Sequence, residues 1–285
     1  MSIIGIGKES YLFVNGIFVD HEIKLCENTV LLPITAEFDF SSASRILKSD
    51  IDYSIVVLSA SNLYSQMKIL ADIPENLAIS TWNSQWHCVL LGAIINNSVI
   101  CNLQCDKPVE LLKEADYLNI TNYELHGIKG ISKELTADDE EWIKNNYKKA
   151  WDLLGNDRFA TAVHCMSTYF WHSLPRVQLS ILWSGIEALF DVSTEISFRI
   201  SLYIANFLAC NDAAEAKLLF AGTRKLYTAR SAAVHGGKIK GVIEDLVSES
   251  ARLLNCLIRR CAEIKTLPNT EELVFPDQNL INVKE

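Results

Sequence analysis

Apolar residues in the first part of the chain, up to about residue 125, fall in short runs bounded by turn residues, which is typical of strands. Asn15-Gly16 lies between two of these runs, and this dipeptide between apolar segments predicts a β-hairpin. Further runs rich in β-branched or apolar residues predict strands at 30–33, 53–58 and 99–103.

Two other segments of this part carry less regular patterns. Residues 62–70 are expected to form a short helix, and residues 80–92 an aromatic strand that continues into a buried one. Trp82 and Trp86 would then be buried aromatic residues of a sheet. The alternative is that the two indoles form a recognition surface.

The spacing of apolar residues becomes helical near Gly130. Thr136 with acidic residues two to four positions later resembles a capping box and predicts a helix start. Six helices are predicted in all, at 137–154, 158–173, 176–191, 195–210, 213–235 and 242–264. The tail from Thr266 contains Pro268 and Pro276 and is expected to be extended.

These patterns predict an α+β protein with two domains. The predicted parts are a mostly-β N-terminal domain at 1–130, an all-α helical bundle at 131–265, and an extended tail at 266–285. A length of 285 residues accommodates two ordinary domains, and a hydrophobic fraction of 49% with six prolines indicates a globular chain.

Composition also bears on compartment and cofactors. The N-terminal residues lack the charged and apolar regions of a signal peptide, and the longest apolar run, Cys88 to Ile95, is too short to span a bilayer. A cytoplasmic protein without a membrane partner is therefore expected. Its eight cysteines are expected to be reduced, and their spacing to histidines predicts no metal site. No cofactor is predicted.

Charge is distributed unevenly along the helical part. The chain has a net charge of -9, yet no Asp or Glu occurs between Ala216 and Ile243. A local excess of cations on an acidic chain indicates an anion site, and phosphates of RNA are the expected ligand. Besides Arg230, the cations of this segment are Lys217, Arg224, Lys225, Lys238 and Lys240.

Arg230 and His235 are the candidate catalytic residues, at the end of a predicted helix. An imidazole transfers protons near neutral pH, and a guanidinium binds phosphate oxygens with a forked set of donors. The alternative is an exposed arginine and a histidine favoured by the helix dipole, followed by a terminating glycine. Residues five apart on a helix point about 140° away from each other, so one helix does not easily direct both groups at one phosphate.

Two residues are predicted to support Arg230. Glu187 lies on an apolar helix, where a buried carboxylate needs a partner; Arg230 is the first candidate and Arg199 the alternative. A salt bridge that orients the arginine is favoured over direct proton transfer by Glu187. Tyr227 shares a helix face with Arg230, where it either packs in the core or stacks on a base.

Three segments in the helical part resemble the HEPN family, and the ApeA-like group in particular. Residues Leu226-Tyr227-Thr-Ala-Arg230-Ser-Ala-Ala-Val-His235-Gly236 resemble its signature helix. Upstream, Leu182-Trp183-Ser-Gly-Ile186-Glu187-Ala-Leu189-Phe190 is similar to its acidic helix, and Phe198-Arg199-Ile-Ser-Leu202 to its central Arg-containing helix. The order and spacing fit over residues 135–265. Ser231 departs from the pattern, because many active members carry Asn, Asp or His there.

The resemblance implies a metal-independent endoribonuclease whose composite site lies at a homodimer interface. His235 would act as general base or acid, and Arg230 would stabilise charge on the reacting phosphate. It further implies a bacterial antiphage or abortive-infection effector. The N-terminal domain would then be a sensor of a phage-derived or nucleotide trigger.

Two other functions remain open at this point. Some HEPN-like bundles are non-catalytic nucleotide-binding, RNA-binding or dimerisation modules, and Ser231 is compatible with that class. The other possibility is that the protein is a scaffold in which Arg230 and His235 are ordinary surface residues.

Overall fold

The computed structural model describes residues 3–47, 49–126, 131–192, 196–209 and 212–274. The chain divides into two compact units, Met1–Lys148 and Lys149–Glu285, and each is considered separately. The predicted change near Gly130 falls on residues 127–130, which lie outside the described residues.

The first unit combines strands with helices. Its elements in chain order are β1 (Glu9–Asn15), β2 (Ile17–Phe18), β3 (Ile23–Cys26), β4 (Thr29–Pro33), α1 (Phe40–Ile46), α2 (Asp50–Ala60), β5 (Leu63–Leu70), α3 (Pro74–Ile95), β6 (Ile100–Cys105), a 3-10 helix (Val109–Glu114), β7 (Leu118–Ile120), β8 (Lys133–Glu134) and the start of α4 (Ala137–Leu153). Six strands form one antiparallel sheet in the order β3-β4-β5-β1-β6-β7, while β2 and β8 pair in parallel. This sheet, followed by helices, confirms the predicted α+β class.

The core of this unit lies on both faces of β1. Successive side chains of a strand point to opposite faces, so Leu12 and Val14 face away from Phe13; all three are fully buried. Phe13 belongs to a cluster with Ile55 and Val56 of α2, whereas α3 packs against β1, β5 and β6. The sheet is therefore covered by helices that the sequence pattern did not predict.

Three segments of the first unit were assigned wrongly. Residues 53–58 belong to α2, which begins after Ser49, whose hydroxyl accepts the Asp52 N–H. Residues 80–92 belong to α3, which begins at Pro74 and is buried along its second half. Periodicity alone does not distinguish a buried helix from a buried strand, and packing overrode the β-propensity of these runs.

The segment predicted as a short helix, 62–70, is the strand β5. Its sequence lacks the alternation of polar and apolar residues that is typical of a half-exposed strand, because polar side chains are buried beside apolar ones. Ser65 Oγ donates to the Ile17 carbonyl at 3.0 Å, and Gln66 bonds to Glu110 and to the Val109 N–H. Each polar group has a partner, so it is compatible with a central strand.

The Asn15-Gly16 hairpin is also wrong. β1 pairs with β5 and β6, and β2 pairs with β8, so Gly16 is a bend between two strands that do not pair with each other. Gly16 has a φ of 91° and lies against the backbone of Ser98. Glycine is required here because the backbone of Ser98 leaves no room for a side chain, and not because the chain forms a hairpin turn.

Trp82 and Trp86 lie four residues apart on α3 and are 47% and 39% exposed. They are therefore not buried sheet aromatics. Among the described helices, none is long and apolar enough to cross a membrane.

His87 on α3 is almost completely buried, and its Nδ1 lies 2.9 Å from the hydroxyl of Tyr147. Burial lowers the pKa of His87 to about 3. The unfolded chain takes up a proton near pH 6.5 that the folded unit does not. We therefore expect the unfolding free energy to fall as the pH drops below about 6.5, by up to about 1.4 kcal/mol per pH unit.

Denaturant unfolding of wild type and His87→Asn between pH 7 and 4 measures this contribution. Asparagine keeps a polar atom near Tyr147 but does not titrate, so the variant should lose stability less steeply with acid. Parallel pH profiles for the two proteins would contradict the assignment.

The second unit is helical, and its helices together with α4 agree with the predicted helices. After the end of α4 come α5 (Asp157–Thr168), a 3-10 turn (Tyr169–Trp171), α6 (Pro175–Phe190), α7 (Ile196–Leu208), α8 (Ala213–Val234), α9 (Ile243–Ile264) and α10 (Thr270–Val274). All six predicted helices are present; the predicted ends Glu195 and Cys210 lie outside the described residues. Helix α10 shows that the described tail is not extended throughout.

Caps explain the agreement. Thr136 Oγ1 accepts the Asp139 N–H at 3.1 Å and donates to its carboxylate, as predicted for the start of α4. Asp212 accepts the N–H groups of Ala214 and Glu215 at the start of α8. Within the bundle, α6 packs against α5, α8 and α9, which places it beside the helix of Arg230.

Candidate active site

A salt bridge between α6 and α8 is the centre of the candidate site. Arg230 Nη2 donates to Glu187 Oε2 at 2.8 Å, and the two side chains are only 20% and 25% exposed. Of the two arginines considered for Glu187, Arg230 is thus the one that pairs with it. Arg199 is exposed on α7.

The pair lies in a partly desolvated environment. Burial raises the pKa of the Glu187 carboxyl, and the nearby Arg230 charge opposes that rise. Glu187 Oε1 and Arg230 Nε are buried and find no hydrogen-bond partner among the described residues. Removing either partner leaves a buried charge uncompensated, which is costly. The geometry is that of an arginine held in one orientation by a carboxylate.

Aromatic rings complete the surroundings of Arg230. Its Cζ lies 5.7 Å from the centre of the Tyr227 ring, and that ring meets Trp183 edge to face at 5.3 Å. Trp183 is fully buried and donates to Ser250 Oγ at 3.2 Å. Burial also raises the pKa of Tyr227. Tyr227 therefore packs on the core with one side and contacts Arg230 with the other.

His235 is the C-cap of α8 and is exposed. Its N–H donates to the Ser231 carbonyl at 3.0 Å, so Ser231 contributes its backbone to the helix end. Gly236 follows with a φ of 72°, which ends the helix. Arg230 contacts α6 whereas His235 is at an open helix end, in keeping with the divergence expected from their spacing.

Arg176 is a further residue of this region, and the sequence did not reveal its role. Its guanidinium donates to the carbonyls of Ala232 at 3.0 Å and Gly237 at 2.9 Å, with a longer contact to Ala233 at 3.5 Å. Ala232 and Ala233 belong to the last turn of α8 and Gly237 follows its end, where carbonyls lack helical partners and a cation complements the helix dipole. The position after Pro175 indicated a helix start but not which neighbouring helix end Arg176 would contact.

The cations predicted to bind RNA are exposed on α8 and on the segment that follows it. Lys217, Arg224 and Lys225 lie on the helix, and Lys238 and Lys240 follow its end. Arg224 Cζ lies 5.8 Å from the ring of Phe220. The structure therefore brings Glu187, Tyr227 and Arg230 into one cluster, with the lysines exposed to solvent.

Among the residues that the structure describes, one group of potential metal ligands occurs, and it lies in the first unit. Atoms of Asp20, His21 and Glu140 lie within 4.8 Å of one another, beside a cleft of about 920 Å³ between residues 21–27 and one face of α4. Asp20 Oδ1 is 2.6 Å from His21 Nδ1, and this hydrogen bond raises the pKa of His21 and lowers that of Asp20. The three side chains form an ion-paired cluster at the surface, in which Asp20 and His21 are exposed and Glu140 is half-buried.

Comparison with known proteins adds no assignment: no family model matches the chain, and no curated protein or solved structure is significantly similar to it.

Proposed function

We propose that the second unit is a metal-independent endoribonuclease of the HEPN type. The observation that carries the proposal is Arg230, which Glu187 holds at 2.8 Å five residues before the exposed His235. Their setting is a segment of α8 and its C-terminal extension that contains cations and no acidic residue. Cleavage of a phosphodiester requires an oriented cation and a solvent-accessible proton carrier, and these two residues would supply them.

In the proposed reaction the 2′-hydroxyl of RNA attacks the adjacent 3′-phosphate. The O2′–P bond forms and the P–O5′ bond breaks, which gives a 2′,3′-cyclic phosphate and a 5′-hydroxyl. His235 accepts the 2′ proton as general base or protonates the leaving 5′-oxygen as general acid. DNA does not react because it lacks the nucleophile.

Arg230 has a distinct role in this reaction. Charge builds on the non-bridging oxygens of the phosphorane, and a fixed guanidinium stabilises it without reorganisation. Glu187 occupies one of its nitrogens, while an arginine offers five N–H donors, so donors remain for phosphate. Glu187 and Tyr227 thus position Arg230, and the exposed cations Lys217, Lys225, Lys238 and Lys240 bind the RNA backbone.

In this proposal Arg230 and His235 are brought to one site in a dimer, because a single helix does not easily direct both at one phosphate. Across a two-fold axis, two copies of α8 present both pairs to a shared cleft, so that one imidazole serves as base and the other as acid. We expect a homodimer through α6 and α8, measured by sedimentation at micromolar concentration. A strict monomer that still cleaves RNA would contradict the composite site.

The resemblance to ApeA-like proteins supports a role for the whole chain. In this proposal it is a cytoplasmic bacterial effector of antiphage defence or abortive infection. The first unit would sense a phage-derived or nucleotide trigger.

The direct test is incubation of a structured RNA with the purified protein, with and without EDTA. We expect equal cleavage in both, because His235 and Arg230 supply the proton transfer and the charge stabilisation. Product ends should be 2′,3′-cyclic phosphate and 5′-hydroxyl, identified by phosphatase and kinase treatment. Loss of activity with EDTA, or 5′-phosphate ends, would exclude this mechanism.

A non-catalytic nucleotide-binding, RNA-binding or dimerisation module is the second candidate. It is favoured by Ser231, where many active members carry Asn, Asp or His, and by the contact of Arg230 with α6. RNA binding by the wild type without any cleaved product, in the presence of lysate from infected cells as a source of trigger, would support this class.

A further inference from the structure

Helix α8 carries a second set of side chains on the N-terminal side of Arg230. Cations and aromatic rings alternate along it at spacings of three and four residues, which keeps neighbouring members on one side of a helix. The set is Lys217, Phe220, Arg224, Tyr227 and Arg230, and we refer to it as the α8 ladder.

Direct contacts link the members in pairs. Arg224 Cζ lies 5.8 Å from the Phe220 ring centre, and Arg230 Cζ lies 5.7 Å from that of Tyr227. Phe198 of α7 adds a third ring, which meets Phe220 edge to face at 5.7 Å. Two cation–π pairs of the same kind thus follow each other along one helix.

Exposure distinguishes the N-terminal end of the ladder from ordinary core packing. Phe198 is 53% exposed, and Arg224 and Lys217 are exposed, whereas Tyr227 is partly buried against Trp183. A phenylalanine that keeps half of its surface in water forgoes hydrophobic free energy, which a ligand covering the ring would recover.

Charge and ring chemistry together indicate the ligand. The segment from Ala216 to Ile243 lacks acidic residues in a chain of net charge -9, so the ladder is locally complementary to a polyanion. An acidic peptide would pair with the cations but would offer no flat face to the exposed Phe198 ring. A duplex hides the faces of its bases, whereas a single strand offers phosphates for the cations and base faces for stacking.

We propose that the α8 ladder and the neighbouring Phe198 bind single-stranded RNA, with a base stacked on the exposed Phe198 ring, which Phe220 meets edge to face, and the flanking phosphates on Lys217 and Arg224. The proposal rests on RNA being the ligand of the second unit and specifies its form. Ten residues separate Phe220 from Arg230, or about 15 Å along a helix. The strand would therefore continue from the stacked base towards the reacting phosphate.

The test is binding of a short fluorescein-labelled oligouridylate, followed by fluorescence anisotropy. His235→Ala is the background for every variant, so that binding is measured without cleavage. Phe198→Ala removes the exposed ring, Arg224→Gln removes its cation, and Leu218→Ala is the matched control, since Leu218 is 75% exposed on the same helix. A duplex of equal length is the competing ligand, and circular dichroism checks that each variant is folded.

We expect Phe198→Ala to weaken oligouridylate binding by about tenfold, the effect of losing one stacked base. Arg224→Gln should weaken it and make it less dependent on salt. Leu218→Ala should leave it unchanged, and the duplex should bind more weakly and be insensitive to Phe198→Ala.

The outcomes separate this proposal from the nuclease proposal. If oligouridylate does not bind, if Phe198→Ala and Arg224→Gln both bind like the parent, or if Leu218→Ala weakens binding equally, the ladder is not the binding site. If Phe198→Ala in the otherwise wild-type protein cleaves RNA with an unchanged KM, the nuclease proposal stands and the ladder proposal fails. If the wild-type protein binds RNA through the ladder but never cleaves it, the ladder proposal stands and the nuclease proposal fails.

Discussion

Replacement of His235 by alanine is expected to abolish RNA cleavage with little change in melting temperature. General acid–base catalysis contributes about 10²–10⁴-fold to a rate, and no other imidazole of the second unit lies in the segment that holds Arg230. The side chain is exposed, and the backbone N–H that bonds to Ser231 is retained in the variant. Product formation and thermal unfolding of the same preparation measure both effects.

His172→Ala is the matched control, because His172 is another exposed histidine of the second unit. It should cleave RNA at the wild-type rate. Arg230→Ala should lose cleavage like His235→Ala but also melt earlier, since the partly buried Glu187 carboxylate loses its partner. Cleavage that persists in His235→Ala would rule out the assigned proton carrier.

The largest effect on stability is expected for Gly16→Ala in the first unit. A Cβ at this position would lie 1.7 Å from the Ser98 carbonyl oxygen, and the φ of 91° is unfavourable for any side chain. The Gly16 carbonyl also accepts hydrogen bonds from Asn97 Nδ2 at 2.6 Å and from the Lys133 N–H at 3.1 Å, so a shift here breaks both. We expect a loss of more than about 4 kcal/mol in unfolding free energy.

Gly7→Ala separates the cost of a side chain at positive φ from the cost of the contact with Ser98. Gly7 has a φ of 89°, close to that of Gly16, but no atom lies within 4 Å of the position that an alanine methyl group would take there. Only the backbone cost of about 1–2 kcal/mol should remain. Denaturant unfolding of both variants measures the difference, and equal losses would show that the contact with Ser98 is not what requires glycine.

The helices from α4 onwards were predictable because local chemistry and packing agree there. Thr136 and Asp212 cap the helices that they precede, and the apolar spacing matches the buried faces. Before α4, local sequence preference and packing favour different structures. The β-branched run Ile55-Val56-Val57 is helical, and the strand β5 contains the buried polar residues Ser65 and Gln66. Burial on both sides removes the alternation from which strands are identified.

The residues of the candidate site differ in how much of their role could be predicted from the sequence. The pairing of Glu187 with Arg230 follows from the cost of a buried carboxylate, which a sequence reveals when an acid lies on an apolar helix. Arg176 was not predictable, because its partners are backbone carbonyls and any helix end offers them. The contact between Phe198 and Phe220 joins two helices and needed their packing to be known.

The two contacts that α6 makes with α8 determine which fragment of the chain is sufficient for the site. Arg176 and Glu187 lie eleven residues apart on α6, or about 16 Å along a helix, and contact the last turn of α8 and Arg230 respectively. An isolated peptide with the Arg230–His235 sequence therefore lacks the groups that fix its shape. Transplanting that sequence into an unrelated bundle would transfer its residues without their geometry, unless the complementary face of α6 were transplanted with it.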